Sequence, residues 1–167
     1  MKLILGSASP RRLEILKQAN IVPVKIIPAD IDEEPKAGEL PIKYCERIAL
    51  EKVNAISGGA DEIILTADTT VSVGRRIMGK PKDPDEAIKF LKLLSGRRHK
   101  VITAIAVKNA QEIRKKSVIS SVKFKNLSSH DIDYYISSGE WKGKAGGYAI
   151  QGLGSEFIPW ISGSYSG

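Results

Sequence analysis

Lys2-Leu3-Ile4-Leu5-Gly6-Ser7-Ala8-Ser9-Pro10-Arg11-Arg12 opens the chain with a short apolar run, a small polar loop and a helix start, in that order. Residues 2–6 read as a buried strand. Ser9 suits an N-cap and Pro10 the first helical position, with Leu13, Leu16 and Ala19 following at helical spacing. The rest of the chain repeats this alternation of strand and helix, which argues an α/β fold with a mixed sheet.

Outward from that segment, Val24 to Pro28 predicts a second strand, followed by an acidic loop of Asp30, Asp32, Glu33 and Glu34. A helix fits 41–56, with Pro41 at its start, Cys45, Ile48, Ala49, Val53 and Ile56 on one face, and Gly58-Gly59 as its stop. Ile63 to Ala67 reads as a continuous apolar strand. After Asp68, Val71 and Val73 begin a hairpin that turns near Gly74-Arg75-Arg76. Asp83-Pro84-Asp85-Glu86 supplies N-cap, first-position proline and capping-box Glu for a helix that buries Ala87, Phe90, Leu91 and Leu94. Val101–Val107 and Ser117–Phe124 look like two strands joined through Asn109-Ala110-Gln111, and Ser128–Ser138 like a capped helix. A glycine-rich remainder carries short strands.

The 167 residues fit one domain, 1–167, or two small lobes sharing a sheet. With 42% hydrophobic and 27% charged residues the chain is expected to fold alone. Its apolar runs fall far short of the roughly 20 residues a spanning helix needs, and its start lacks a signal peptide's pattern, so the expectation is a cytoplasmic protein with no membrane partner. Cys45 is the single cysteine, which rules out an internal disulfide and a cysteine-rich zinc site. Any metal must rest on carboxylates. The net charge of +7 predicts attraction to polyanions. Nucleic acid is disfavoured among these, because aromatics are only 6% and none neighbours Arg11-Arg12 or Arg97-Arg98.

Gly6 to Arg12 gathers backbone N–H groups, two hydroxyls and two guanidiniums at one helix N-terminus, where the dipole favours an anion. Arginines in a first turn oppose that dipole unless an anion neutralises them. The plain alternative is a capped helix with solvated arginines; the segment is not a Walker A loop. Asp68 is expected at the C-terminal end of its strand, where open α/β sheets place ligand sites, or else in an Asx turn through Thr69-Thr70. Glu33 alone reads as a solvated acid, although two carboxylates with separate basic residues suit a hard cation of the Mg²⁺ type. Lys52 and Lys80 read as surface lysines unless they meet Arg11 and Arg12 in space. His99, ahead of a strand, and His130, in a helix first turn, read as structural. In Lys144-Ala145-Gly146-Gly147-Tyr148-Ala149-Ile150-Gln151-Gly152, paired glycines lead into a short strand and an amide able to read a uracil-like edge, unless the segment is merely a turn and a strand.

Together GSASPRR at 6–12, EK at 51–52, ADTTV at 67–71, GKP at 79–81, SGRRHKVIT at 95–103 and GEWKGKAGGYAIQGLGS at 139–155 resemble the Maf family of nucleoside triphosphate pyrophosphatases. The resemblance implies an inosine-triphosphatase-like α/β fold, an elongated mixed sheet with flanking helices and a cleft between two lobes. It implies hydrolysis between the α- and β-phosphates with a divalent cation, Mg²⁺ or Mn²⁺. Family members are cytoplasmic and often dimeric, so a homodimer is open to this chain. By the same resemblance Asp68 accepts the water's proton and touches the metal, Glu33 is metal-associated, and Ser7, Arg12, Lys52 and Lys80 hold the triphosphate. Arg11, Thr69 and Gln151 resemble the branch acting on dTTP and UTP. Family chains continue past the position where this one stops at Ser164-Tyr165-Ser166-Gly167, so a C-terminally shortened member is expected. A regulatory or inactive module that binds nucleotide or nucleic acid through the basic surface is the alternative.

Overall fold

The computed structural model describes residues 2–166; the outermost residues of the expected domain, Met1 and Gly167, lie outside the described residues. β1 (Lys2–Leu5), α1 (Pro10–Gln18) and β2 (Lys25–Ile26) realise the opening pattern, though the second strand pairs over two residues only. α2 (Pro41–Asn54) leads to β3 (Glu62–Val73), and β3 turns through Gly74-Arg75 into β4 (Arg76–Met78), with Val73 opposite Arg76. There follow α3 (Pro84–Leu94), β5 (Arg98–Lys108), β6 (Ile113–Lys123), α4 (Ser129–Ser138) and β7 (Trp160–Ser162). The strands form one mixed sheet in the order β2-β1-β3-β5-β6-β7, with β4 on β3. β1 is parallel to both neighbours, Leu5 standing opposite Ile26 on one side and Leu65 on the other.

The chain divides into two compact units. One holds the chain through Asp68 together with Thr103–Ser117; the other holds Thr69–Ile102 and Val118–Tyr165. In the first, α2 buries Tyr44, Cys45, Ile48, Ala49, Lys52 and Val53, a stripe at helical spacing. In the second, Phe90, Leu91 and Leu94 of α3 pack with Phe124, Tyr135, Trp141, Tyr148 and Phe157. Both helices of that unit are capped where the sequence predicts: Asp83 accepts the Glu86 N–H at 2.8 Å, although the Glu86 carboxylate accepts from the Lys82 N–H at 2.7 Å and so closes no capping box, whereas Ser128 and Asp131 form a reciprocal one.

Several expectations need correction. β3 does not stop at Ala67 but runs on through Asp68 to Val73, so Asp68 lies within a strand rather than at its end or in an Asx turn. Ser9 occupies the N-cap of α1 without a side-chain cap bond; its N–H donates instead to Ser7 Oγ at 3.2 Å. β6 starts four residues before Ser117. β7 pairs with it only at Ser121–Lys123, so the early part is sheet edge, and Arg114, Lys115 and Lys116 there are charges that deter edge pairing. Residues 148–152 form no strand.

β5 also begins early, which places His99 inside a strand and inside the core. His99 Nε2 and the Tyr148 hydroxyl share a hydrogen bond of 2.5 Å, and the His99, Phe124 and Tyr148 rings meet edge to face. Burial pushes the imidazole down to about 4. The unfolded chain, with an ordinary histidine, therefore takes up a proton first as pH falls. This contribution to stability is full above about pH 6.5 and declines until pH passes about 4, by up to about 3 kcal/mol. His99→Gln, which keeps a polar group for Tyr148, should flatten the fall in urea midpoint between pH 7 and 4.5. An unchanged slope would assign that pH dependence to other groups.

Candidate active site

α2 lies over one face of β3, and the chemistry of the first unit is built on that contact. On α2, Cys45, Ala49 and Lys52 fall at i, i+4 and i+7, on one side of the helix. On β3, Thr66 and Asp68 share a face by the two-residue period. The Thr66 hydroxyl donates to the Ala49 carbonyl at 2.7 Å, and the Cys45 thiol donates to the Asp68 carbonyl at 3.6 Å. The Lys52 ammonium then reaches Asp68 Oδ1 at 3.0 Å and Glu33 Oε1 at 2.8 Å. Lys52 and Asp68 side chains are about nine-tenths buried, whereas Glu33 is 37% exposed. A lysine on the buried face of a helix is costly unless carboxylates meet it, and here two do.

Glu33 is brought there by its loop. The Tyr44 hydroxyl donates to the Glu33 carbonyl at 2.8 Å. Arg47 donates to both oxygens of Glu39, at 2.7 and 2.8 Å, to Glu51 at 3.0 Å and to the Glu34 carbonyl at 3.1 Å. The fork on Glu39 holds its carboxyl down at about 2. The loop between β2 and α2 is thus laced to the helix at Glu33 and at Glu34 and Glu39 after it.

β1 delivers the third component. The Gly6 N–H donates to the Leu65 carbonyl at 2.8 Å, and a Cβ at Gly6 would lie 2.5 Å from the Thr66 methyl and 2.6 Å from Ile56 Cδ1. Only glycine lets the chain pass this closely on its way into the Ser7 loop. Ser7 is buried and accepts from Arg12 Nη1 at 2.9 Å. Burial pushes the Arg12 guanidinium below its usual range; Asp68 and Glu33 pull it back up, and Arg11 works against them. α1 has no side-chain cap and no acid in its first turn. Its N-terminal N–H groups and two arginines therefore present positive potential with no acid in the first turn to offset it.

Of the expected site residues, Ser7 is bonded to Arg12 and Lys52 to Glu33 and Asp68, the two carboxylates acting electrostatically on Arg12, while Arg11 is exposed. Thr69, Lys80 and Gln151 belong to the second unit: Thr69 half-buried on β3, Lys80 exposed after β4, Gln151 exposed between the two 3-10 turns Ala145–Gly147 and Leu153–Phe157. Lys52 is buried rather than a surface lysine. Tyr44, Cys45 and Arg47 were missed by sequence reasoning; only the i, i+4 pair of Arg47 and Glu51 offered a signal. Glu33 and Asp68 converge on a single cation, the Lys52 ammonium, and two carboxylates able to share a hard cation with phosphate oxygens fit Mg²⁺ or Mn²⁺. Among the described residues no group of three His, Cys, Asp or Glu side chains is arranged for a metal, so phosphate oxygens and water would complete its shell.

The family model described as "Maf-like protein" matches residues 2–167. The chain is 58% identical to a dTTP/UTP pyrophosphatase of Cereibacter sphaeroides, covering 100% of this chain and 87% of that one. It is 58% identical to a dTTP/UTP pyrophosphatase of Roseobacter denitrificans over 98% and 87%, and 50% identical to a nucleoside triphosphate pyrophosphatase of Anaplasma phagocytophilum over 98% and 85%. Among solved structures, a HAM1 protein from Coxiella burnetii aligns with TM-score 0.49 at 16% identity, covering 94% of this chain and 91% of the other.

Lys52→Met would leave Asp68 buried against a thioether with no ammonium. The expected loss is about 2–4 kcal/mol in urea unfolding at pH 7, less than for a fully buried pair because Glu33 keeps access to water. Unchanged stability would show that the ammonium does not hold the two carboxylates together.

Proposed function

Since this chain belongs to the Maf family, we propose that it is a nucleoside triphosphate pyrophosphatase acting on dTTP and UTP, which cleaves the linkage between the α- and β-phosphates to give the monophosphate and pyrophosphate. The observation that carries the reading is the Lys52 ammonium held between Glu33 and Asp68 in the unit that also holds the Arg12–Ser7 pair. Arg11, Arg12 and Lys52 are three cations against two carboxylates, an arrangement that favours a polyanionic substrate of about four negative charges.

In this reading Asp68 accepts a proton from water as the water oxygen bonds to phosphorus and the bridging oxygen departs with pyrophosphate. A carboxylate within a strand rests on backbone that is paired before it, Leu65 with Leu5, and after it, Val71 with Met78, so it meets the water in one orientation. Lys52, Arg12 and Ser7 bind phosphate oxygens, with Lys80 binding another. Glu33 and Asp68 would hold the divalent cation, which supplies charge neutralisation and a more acidic water when bound. Thr69 and Gln151 read the base: a thymine or uracil edge presents carbonyls on either side of an N–H, which the Gln amide matches with its N–H and its oxygen. Arg11 completes the set that favours dTTP and UTP.

No helix among the described residues is long and apolar enough to cross a membrane, and the proposed location is the cytoplasm, where nucleoside triphosphates are made and used. A homodimer belongs to the same reading through the family resemblance. The alternative of an inactive or nucleic-acid-binding module is not favoured, because groups suited to phosphate chemistry are assembled around Lys52.

The test is pyrophosphate release from dTTP, UTP, dCTP and GTP with Mg²⁺ or Mn²⁺ and with chelator. dTTP and UTP should be preferred, and chelator should stop release. Asp68→Asn keeps the acceptor for Lys52 but loses basicity, so it should lower turnover about 10²–10⁴-fold with little change in thermal midpoint. Wild-type turnover in that folded variant would remove Asp68 from the role of base.

A further inference from the structure

Residues 145–153, which carry Gln151, form no strand, yet three elements of their own unit tie them down. The Gly146 N–H donates to the Gly79 carbonyl at 2.9 Å, next to Lys80. Tyr148 is bonded to His99 of β5. At the far end, the Leu153 N–H donates to both carboxylate oxygens of Glu140, at 3.2 and 3.0 Å. Glu140 is half-buried and directly follows Gly139, the left-handed cap of α4. Gly152 has φ 108°, and a Cβ there would lie 2.8 Å from each Glu140 oxygen, so the absence of a side chain at this position is what admits the carboxylate. Tyr148 and Ala149 are buried, while Gln151 is exposed between the two fixed points.

We propose that Glu140 is a positioning residue for base selection: by holding the turn at Gly152 and Leu153 it sets the direction in which the Gln151 amide meets the base. The proposal rests on the reading of Gln151 given above. A glutamine amide carries a donor and an acceptor on a rotatable stem. It tells thymine from cytosine, a carbonyl from an amino group at the same ring position, only if the backbone beneath it holds one geometry. A segment anchored at Tyr148 alone lets the side chain approach the base from several directions. Anchored also at Leu153, it approaches from one.

The test compares kcat and KM for dTTP and dCTP in Glu140→Ala, Glu140→Gln, Gln151→Ala and the Glu140→Ala/Gln151→Ala double variant. Glu140→Ala should raise KM for dTTP about 10-fold with kcat within about twofold, and lower the dTTP-to-dCTP ratio of kcat/KM about 10-fold. Glu140→Gln, which keeps an acceptor for the Leu153 N–H, should recover most of that ratio. In the Gln151→Ala background, Glu140→Ala should shift the ratio no further. If Gln151→Ala lowers the ratio but Glu140→Ala does not, the positioning role is overturned while the reading of Gln151 stands; if Gln151→Ala leaves the ratio unchanged, both fall. A drop in kcat shared equally by both nucleotides would make Glu140 a merely structural residue and overturn the proposal. Should Glu140→Ala fail to fold, Glu140→Asp, which withdraws the carboxylate by one methylene, carries the same outcomes against Glu140→Gln.

Discussion

The buried ammonium of Lys52 is the constraint around which the first unit is arranged. An amine on the inward face of α2 must be met by anions, and the two that meet it come from different directions: Asp68 from within β3 and Glu33 from the loop before α2. Meeting that requirement explains features that look unrelated in isolation. The Thr66 and Cys45 bonds fix how α2 rests on β3, hence where the ammonium points. The Arg47 fork and the Tyr44 hydroxyl fix the acidic loop, hence where Glu33 arrives. Gly6 admits β1 closely enough for Ser7 to receive Arg12. The bonds of α2 to β3 and to the acidic loop are packing and hydrogen-bonding details whose effect is felt at one nitrogen atom.

Local chemistry was legible from the sequence and remote chemistry was not. The caps of α3 and α4, the hairpin turn at Gly74-Arg75 and the apolar stripe of α2 follow from neighbours within four residues, and the structure has them where the pattern puts them. Ala67-Asp68-Thr69-Thr70 looked like a strand end because its polar residues break an apolar run. The strand continues because that face is covered by a helix offering a carbonyl and an ammonium, which no periodicity reveals. The burial of Lys52 was hidden for the same reason: its partners lie 16 and 19 positions away in the chain. At 148–152 the glycine pattern suggests an entry to a strand, whereas the left-handed backbone of Gly146, Gly147 and Gly152 keeps the segment off any ladder. Its ties to His99 and Glu140, 49 and 13 residues away, replace that ladder. The family resemblance named Gln151 and said nothing of what holds it.

The parallel pairing of β1 with β3 sets the order in which the molecule can form during synthesis. Lys2 is paired with Glu62, so the first strand leaves the ribosome long before its partner exists. At about 5–20 residues per second, about 60 residues of delay is roughly 3–12 s in which Leu3-Ile4-Leu5 has no strand but the two-residue β2 to pair with. The wait is longer for the unit as a whole, since it also includes Thr103–Ser117, and those residues emerge after much of the second unit has been made. Neither unit is a continuous stretch of chain, so neither can close as an early, self-sufficient piece. The nascent protein must keep an apolar strand from straying until a late segment arrives, a burden of long-range topology of the kind that slows folding.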